Sequence, residues 1–152
     1  MSVEQRLREL GLTLRAPPKP MATYATAVRL GDLLYVSGTG PLQPDGGYLT
    51  GRLGHDLDVA AGQAAARLCG LAMLATVRAN VGSLDKVVRL VKVLGFVHAT
   101  PEFFDHPKVM NGFSDLMVQL FGDAGLGARS AVGAPSLPSG IAVEVEAIFQ
   151  VA

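Results

Sequence analysis

The C-terminal segment Ile141-Ala-Val-Glu-Val-Glu-Ala-Ile-Phe149 carries Ile, Val, Val, Ala and Phe at its odd positions. On a β-strand this alternation puts Glu144 and Glu146 together on the opposite face, about 7 Å apart. Upstream, the strand-like runs Ala128–Gly133 and Ile141–Val151 flank the turn-rich Pro135-Ser-Leu-Pro-Ser-Gly140. That arrangement predicts an antiparallel pair in which Arg129 falls opposite or diagonal to the two glutamates. A carboxylate there could orient or deprotonate a water molecule, and a planar guanidinium offers two parallel N–H donors to a ligand carboxylate. The same pattern also describes a cross-strand ion pair on a solvated face, contributing at most about 1 kcal/mol. Pattern alone leaves both readings open.

Other chemistry finds less support in the residues. Gly38-Thr39-Gly40 follows a strand, but position 43 is Gln where a dinucleotide loop would have its third glycine, and no Gly-Lys-Ser/Thr follows. Pro41, Pro44 and Gly46-Gly47 prevent a helix N-terminus from aiming its amides at a phosphate. His55-Asp56, His98 and Asp105-His106 lack the spacing that converges ligands on zinc. With one cysteine and no Gly-x-Ser-x-Gly turn, neither thiol nor serine-triad chemistry has a visible nucleophile.

These side chains must be positioned by a single fold, because 152 residues suit one core of ordinary size. Hydrophobic residues make up 49% and charged residues 17%, which excludes a disordered chain and leaves apolar surface for self-association. Thirteen basic and thirteen acidic residues give no net charge to draw the protein onto nucleic acid or an anionic membrane. Cys69, in an Ala/Leu helical stretch, reads as a core residue in a reducing compartment, so the cytoplasm is the expected location. No uncharged apolar stretch approaches the roughly 18 residues of a membrane span.

Along the chain, Ser2 and Gln5 have capping-box spacing and predict a short helix over 2–10. The proline-rich Ala16-Pro-Pro-Lys-Pro20 then makes residues 1–20 an appendage and connector, with the domain proper at 21–152. Residues 24–37 predict a hairpin turning at Gly31-Asp32, and 38–54 a loop or brief extra strand. Ala61, Ala64, Ala65, Leu68, Ala72 and Ala75 predict a helix over 58–80 with one buried face. Residues 86–97 predict a buried strand, and Thr100-Pro101-Glu102 a second helix running to about Gly122. The order β-β-α-β-α-β-β is that of an α+β layer, helices packed on one sheet.

Taken together, Gly127-Ala-Arg-Ser-Ala-Val132, Leu137-Pro138 and Val143-Glu-Val-Glu-Ala-Ile148 resemble the C-terminal signature of the Rid (YjgF-type) family of reactive-intermediate deaminases. Tyr24, Val36-Ser37-Gly38 and Asn111 also match, so the resemblance runs from about Met21 to Val151. It implies a chorismate-mutase-like fold, a mixed sheet with two main helices on one face. It further implies a homotrimer whose sheets form a central barrel with active sites in the clefts between subunits. The implied reaction is of the 2-iminobutanoate/2-iminopropanoate deaminase type, hydrolysing 2-imino and 2-enamino acids to 2-keto acids and ammonia with neither cofactor nor metal. By that resemblance Arg129 binds the carboxylate of a small 2-imino or 2-keto acid and Glu144 positions or activates water. Tyr24, Ser37, Gly38, Asn111 and Ala131 would line the pocket.

Departures mark a divergent branch with a longer N-terminus. Ala131 stands where cysteine is frequent, Thr39 ends the usual Ser-Gly-Gln, and Ser114 replaces an aromatic. They motivate the alternative of a non-catalytic module of the same fold that holds a small carboxylate or a protein partner. RNA cleavage ranks behind both, since zero net charge and no tryptophan offer little electrostatic or stacking platform.

Overall fold

The computed structural model describes residues Met1–Ala152. Its element order is α1 (Val3–Glu9), β1 (Ala27–Leu30), β2 (Leu33–Thr39), α2 (Val59–Val81), β3 (Val87–His98), α3 (His106–Phe121), β4 (Ala128–Ala134) and β5 (Val143–Val151). The five strands form one mixed sheet in the order β1-β2-β5-β3-β4, with α2 and α3 covering one face. The α+β architecture is the one the sequence implies, down to the hairpin in which Leu30 pairs with Leu33 across Gly31-Asp32.

Local chemistry accounts for most element ends. The Asp58 side chain accepts from Ala61 N at 2.8 Å to start α2, and Gly82, in the left-handed region, stops it. Although α2 is long and apolar enough to cross a membrane by length and composition, 56% of its apolar window is buried against α3 and the sheet, as in a core helix. The two helices approach closely because Gly112 on α3 meets the Gln63 carbonyl of α2, where a Cβ would collide. Cys69 is fully buried, with its thiol donating to Val143 O at 3.5 Å.

Two expectations require correction. The second helix starts at His106 rather than Thr100: Ala99 N donates to Ala134 O and Thr100 N to Leu53 O, which keeps the chain extended past the end of β3. The proline near the helix start is therefore Pro107, while Pro101 lies in the preceding turn. More consequentially, β4 and β5 do not pair. Strand β3 lies between them, parallel to β4 and antiparallel to β5. The reason is visible in the connections: α3 is a helical crossover of the kind that joins parallel neighbours, so β4 lies down beside β3 at the sheet edge. Strand β5, whose Val143, Val145, Ala147, Phe149 and Val151 are all buried, takes the interior place between β2 and β3.

The N-terminal helix is docked into this core. Its capping box forms as expected, with Ser2 Oγ accepting from Gln5 N at 3.1 Å and Gln5 Oε1 from Ser2 N at 2.9 Å. Leu7 is only 3% exposed and belongs to the main apolar cluster. Glu4 takes Arg78 in a two-pronged pair, at 2.7 and 3.2 Å, and also accepts from Leu84 N at 3.0 Å. Leu7→Ala is expected to destabilise the fold by about 2–5 kcal/mol, the usual range for emptying a closed leucine site. Chemical denaturation measures it, and a loss below about 1 kcal/mol would show α1 to be a loosely held appendage.

Candidate functional site

Strand register assigns each candidate side chain to a face. One row across the sheet runs Glu144–Phe96–Val132 and the next Glu146–Leu94–Ser130. Both rows point away from the helices. A third row, Val36–Ala147–Val93–Arg129, includes three buried residues and points toward them. Arg129 and Glu144 therefore lie on opposite faces, and the expected sharing of one surface by Arg129 and the glutamates is not what the chain forms. Placing β4 against β5 produced that error; the intervening β3 changes both the distance and the side.

On the open face, Glu144 stands in a cavity of about 680 Å³ with Tyr24, Ser37 and Gly38. A bulge creates this wall. Between Val36, which pairs with Ala147, and Thr39, which pairs with Val145, β2 spends one residue more than β5. Ser37 and Gly38 are thereby lifted out of the ladder beside Glu144. A Cβ on Gly38 would come within 2.9 Å of Glu144 Cδ, so only glycine lets the carboxyl lie against this backbone. Ser37 is fixed from behind, its hydroxyl donating to Ala25 O at 2.6 Å, and the Tyr24 hydroxyl accepts from Met21 N at 3.3 Å. Half-burial pushes the Glu144 carboxyl above the ordinary carboxylate range, the negative charge of Glu146 adds to the shift, and no hydrogen bond offsets them.

On the covered face, at the edge of the sheet, Arg129 is gripped by α3. Its Nη1 donates to Asn111 Oδ1 at 3.0 Å and to Ser114 Oγ at 3.1 Å, and its Nη2 to Pro107 O at 3.3 Å. Asn111 thus holds Arg129 and Ala131 packs beside it against the apolar core, so these three lie apart from the cavity that Tyr24, Ser37, Gly38 and Glu144 line. Ser114 and the Pro107 carbonyl were not foreseen as partners. The i, i+3 spacing of Asn111 and Ser114 on one helix face was the available signal. No carboxylate lies within ion-pair distance of Arg129, the chain's two ion pairs being Glu4–Arg78 and Asp105–Lys108. Three of a guanidinium's five N–H donors are engaged by neutral oxygens, which leaves two, the number a carboxylate takes side by side. The solvated ion-pair reading is thereby excluded. No three His, Cys, Asp or Glu side chains converge anywhere in the chain.

Residues 4–148 match the family model described as "YjgF/chorismate_mutase-like, putative endoribonuclease". The protein TCP17 of Trypanosoma cruzi is 44% identical over 149 residues, 97% of this chain and 93% of that one. Among solved structures, protein Atu1372 from Agrobacterium tumefaciens has a TM-score of 0.90 at 43% identity, covering 99% of this chain and 94% of its own. RidA from the Antarctic bacterium Psychrobacter sp. PAMC 21119 has a TM-score of 0.63 at 25% identity, covering 89% and 94%.

The raised Glu144 carboxyl carries a pH signature. Because the folded state favours its protonated form, its contribution to stability is complete below the unfolded carboxylate pKa of about 4.3 and is lost as pH rises through the higher folded value. Glu144→Gln, permanently neutral, is expected to melt above the wild type at neutral pH, with the gap closing toward about pH 4. Thermal melts across that range measure it; a gap constant with pH would show that Glu144 is not desolvated.

Proposed function

The chain belongs to the YjgF/chorismate-mutase-like family, and from that premise we propose that it hydrolyses 2-imino and 2-enamino acids to 2-keto acids and ammonia, at sites completed between the subunits of a cytoplasmic homotrimer. Family membership supports a Rid-like or endoribonuclease-like role. What favours the imine is the state of Arg129: a guanidinium steadied by three neutral oxygens, with two donors and its whole charge left for an anion. A polyanionic nucleic acid would instead have to approach Glu144 and Glu146 with no net positive charge to offset them.

Two halves of a site on opposite faces of one sheet cannot meet in one chain. They can meet between chains, because β4 is an edge strand and the open face is bare. Val28, Leu30 and Tyr35 near one sheet edge and Val132 at the other are 56%, 68%, 42% and 42% exposed there, apolar side chains that a partner would cover. A closed ring of three copies would cover these residues and bring the Arg129 of one subunit to the Glu144 cavity of the next.

In that composite site Arg129 holds the substrate carboxylate two-pronged and so fixes the imine carbon. An enamine first takes a proton at C3 to become the imine. Glu144, made more basic by burial, accepts a proton from water as its oxygen adds to C2, and the nitrogen is protonated. The C–N bond of the resulting carbinolamine then breaks, the C2 hydroxyl becomes the keto group, and ammonia leaves with the proton. The reaction consumes one water, and a positioned base of this kind is worth roughly 10²–10⁴-fold.

Arg129→Lys is expected to lose nearly as much kcat/KM as Arg129→Ala, since an ammonium lacks the two parallel N–H groups that take a carboxylate side by side. Glu144→Gln is expected to lower kcat more than it raises KM. Hydrolysis of imines generated by an amino-acid oxidase, with semicarbazide trapping the remainder, measures both. Binding of 2-keto acids without any hydrolysis would instead identify a non-catalytic module. Light scattering is expected to give the mass of three chains, and a monomer would remove the composite site.

A further inference from the structure

The cavity facing Glu144 has a wall that neither the sheet nor the helices supply. Pro18, Lys19 and Met21 line it, so the N-terminal connector encloses the pocket as well as joining α1 to the sheet. From this wall and its neighbours we infer that the preferred substrate is an imino acid with a large apolar side chain, and that Met21 and Tyr48 determine this specificity. The inference rests on the deaminase reading and names the substrate class of that same site.

Three observations carry it. First, beside Glu144, Ser37 and Gly38 at the β2 bulge the cavity carries an apolar surface made by Met21, Tyr48, Phe96 and Ile141, with Phe96 the cross-strand neighbour of Glu144. A side chain of one or two carbons would leave that surface in contact with water, whereas a branched or aromatic one would cover it. Met21 is 75% exposed in the chain, an apolar side chain that lines the cavity and is largely open to a ligand. Second, the cavity's two carboxylates, Glu144 and Glu146, outnumber its one cation, Lys19, so the net charge of the lining disfavours imines of the acidic amino acids.

Third, the wall is held in place. Arg15 Nη1 donates to Gln43 O at 3.0 Å, which ties the base of the connector to the loop that carries Tyr48, and Gln43 N donates to Gly47 O at 2.7 Å within that loop. Pro17, Pro18 and Pro20 restrict the connector's backbone between that tie and the turn where Tyr24 N donates to Ala22 O at 3.0 Å. A wall pre-organised in this way discriminates by size, and each methylene that fits an apolar pocket is worth about 10–200-fold.

The test compares kcat/KM for imines generated from leucine, phenylalanine, alanine and glutamate, using the full-length protein and Met21→Trp, which fills the wall. The leucine- or phenylalanine-derived imine is expected to exceed the alanine-derived one by at least about 10-fold, and Met21→Trp to reduce that ratio about 10-fold. A highest rate with the alanine- or glutamate-derived imine, or a ratio that Met21→Trp leaves unchanged, overturns the inference while the deaminase reading stands. Calorimetric binding of phenylpyruvate against pyruvate reads the wall without turnover. Tighter phenylpyruvate binding with no imine hydrolysed would retain the large apolar pocket and overturn the deaminase reading, and equal binding of the two overturns the pocket.

Discussion

Strand β5 is hydrogen-bonded on both sides, to β2 and to β3, and every second side chain along it is sealed under the helices. Its register cannot slip by one residue without exchanging Val143, Val145, Ala147, Phe149 and Val151 for Glu144, Glu146, Ile148 and Gln150. Burying two carboxylates in that core would be prohibitive. The glutamates are therefore locked onto the open face by the apolar residues between them, and the register of β5 with β3, and of β3 with β4, passes that constraint to the sheet edge. Arg129 shares a row with Ala147 and Val93 and so must face the helices.

From this separation comes the division of labour between the two surfaces. On the covered side α3 presents Asn111, Ser114 and the Pro107 carbonyl to a guanidinium that has no acid to neutralise it. The open side has the opposite character, with a half-buried carboxyl, a second one nearby and a bulged backbone that lets the first lie against Gly38. Each half lacks the charge that the other carries. An anionic ligand with an electrophilic carbon a few bonds from its carboxylate suits the pair, provided a second chain brings the halves together.

The N-terminal segment joins structure to selectivity. Leu7 and Glu4 fasten α1 to the core, Arg15 fastens the connector to the loop before Tyr48, and the prolines stiffen the chain between. One end of the segment thus contributes to stability while the other encloses the cavity. In sequence the prolines suggested a spacer; in three dimensions they hold Pro18, Lys19 and Met21 along the cavity.

Much of this was legible in the residues alone. The alternation of β5, the alanine-rich face of α2, the capping box of α1 and the Gly31-Asp32 hairpin are local patterns, each set by bond geometry and side-chain chemistry within a few residues, and each formed as read. The grouping of Tyr24, Ser37, Gly38 and Glu144 on one side, and of Arg129 with Asn111 on the other, used residues the sequence had already singled out. What it did not reveal was the partner of β4, the start of α3 past Thr100, or the grip of Ser114 on Arg129. Strand order depends on which apolar strand gains most by being covered on both edges, and on a helical crossover that favours a parallel neighbour. These are long-range energies without a local signature, so which residues could become chemical neighbours was decided only when the whole sheet assembled.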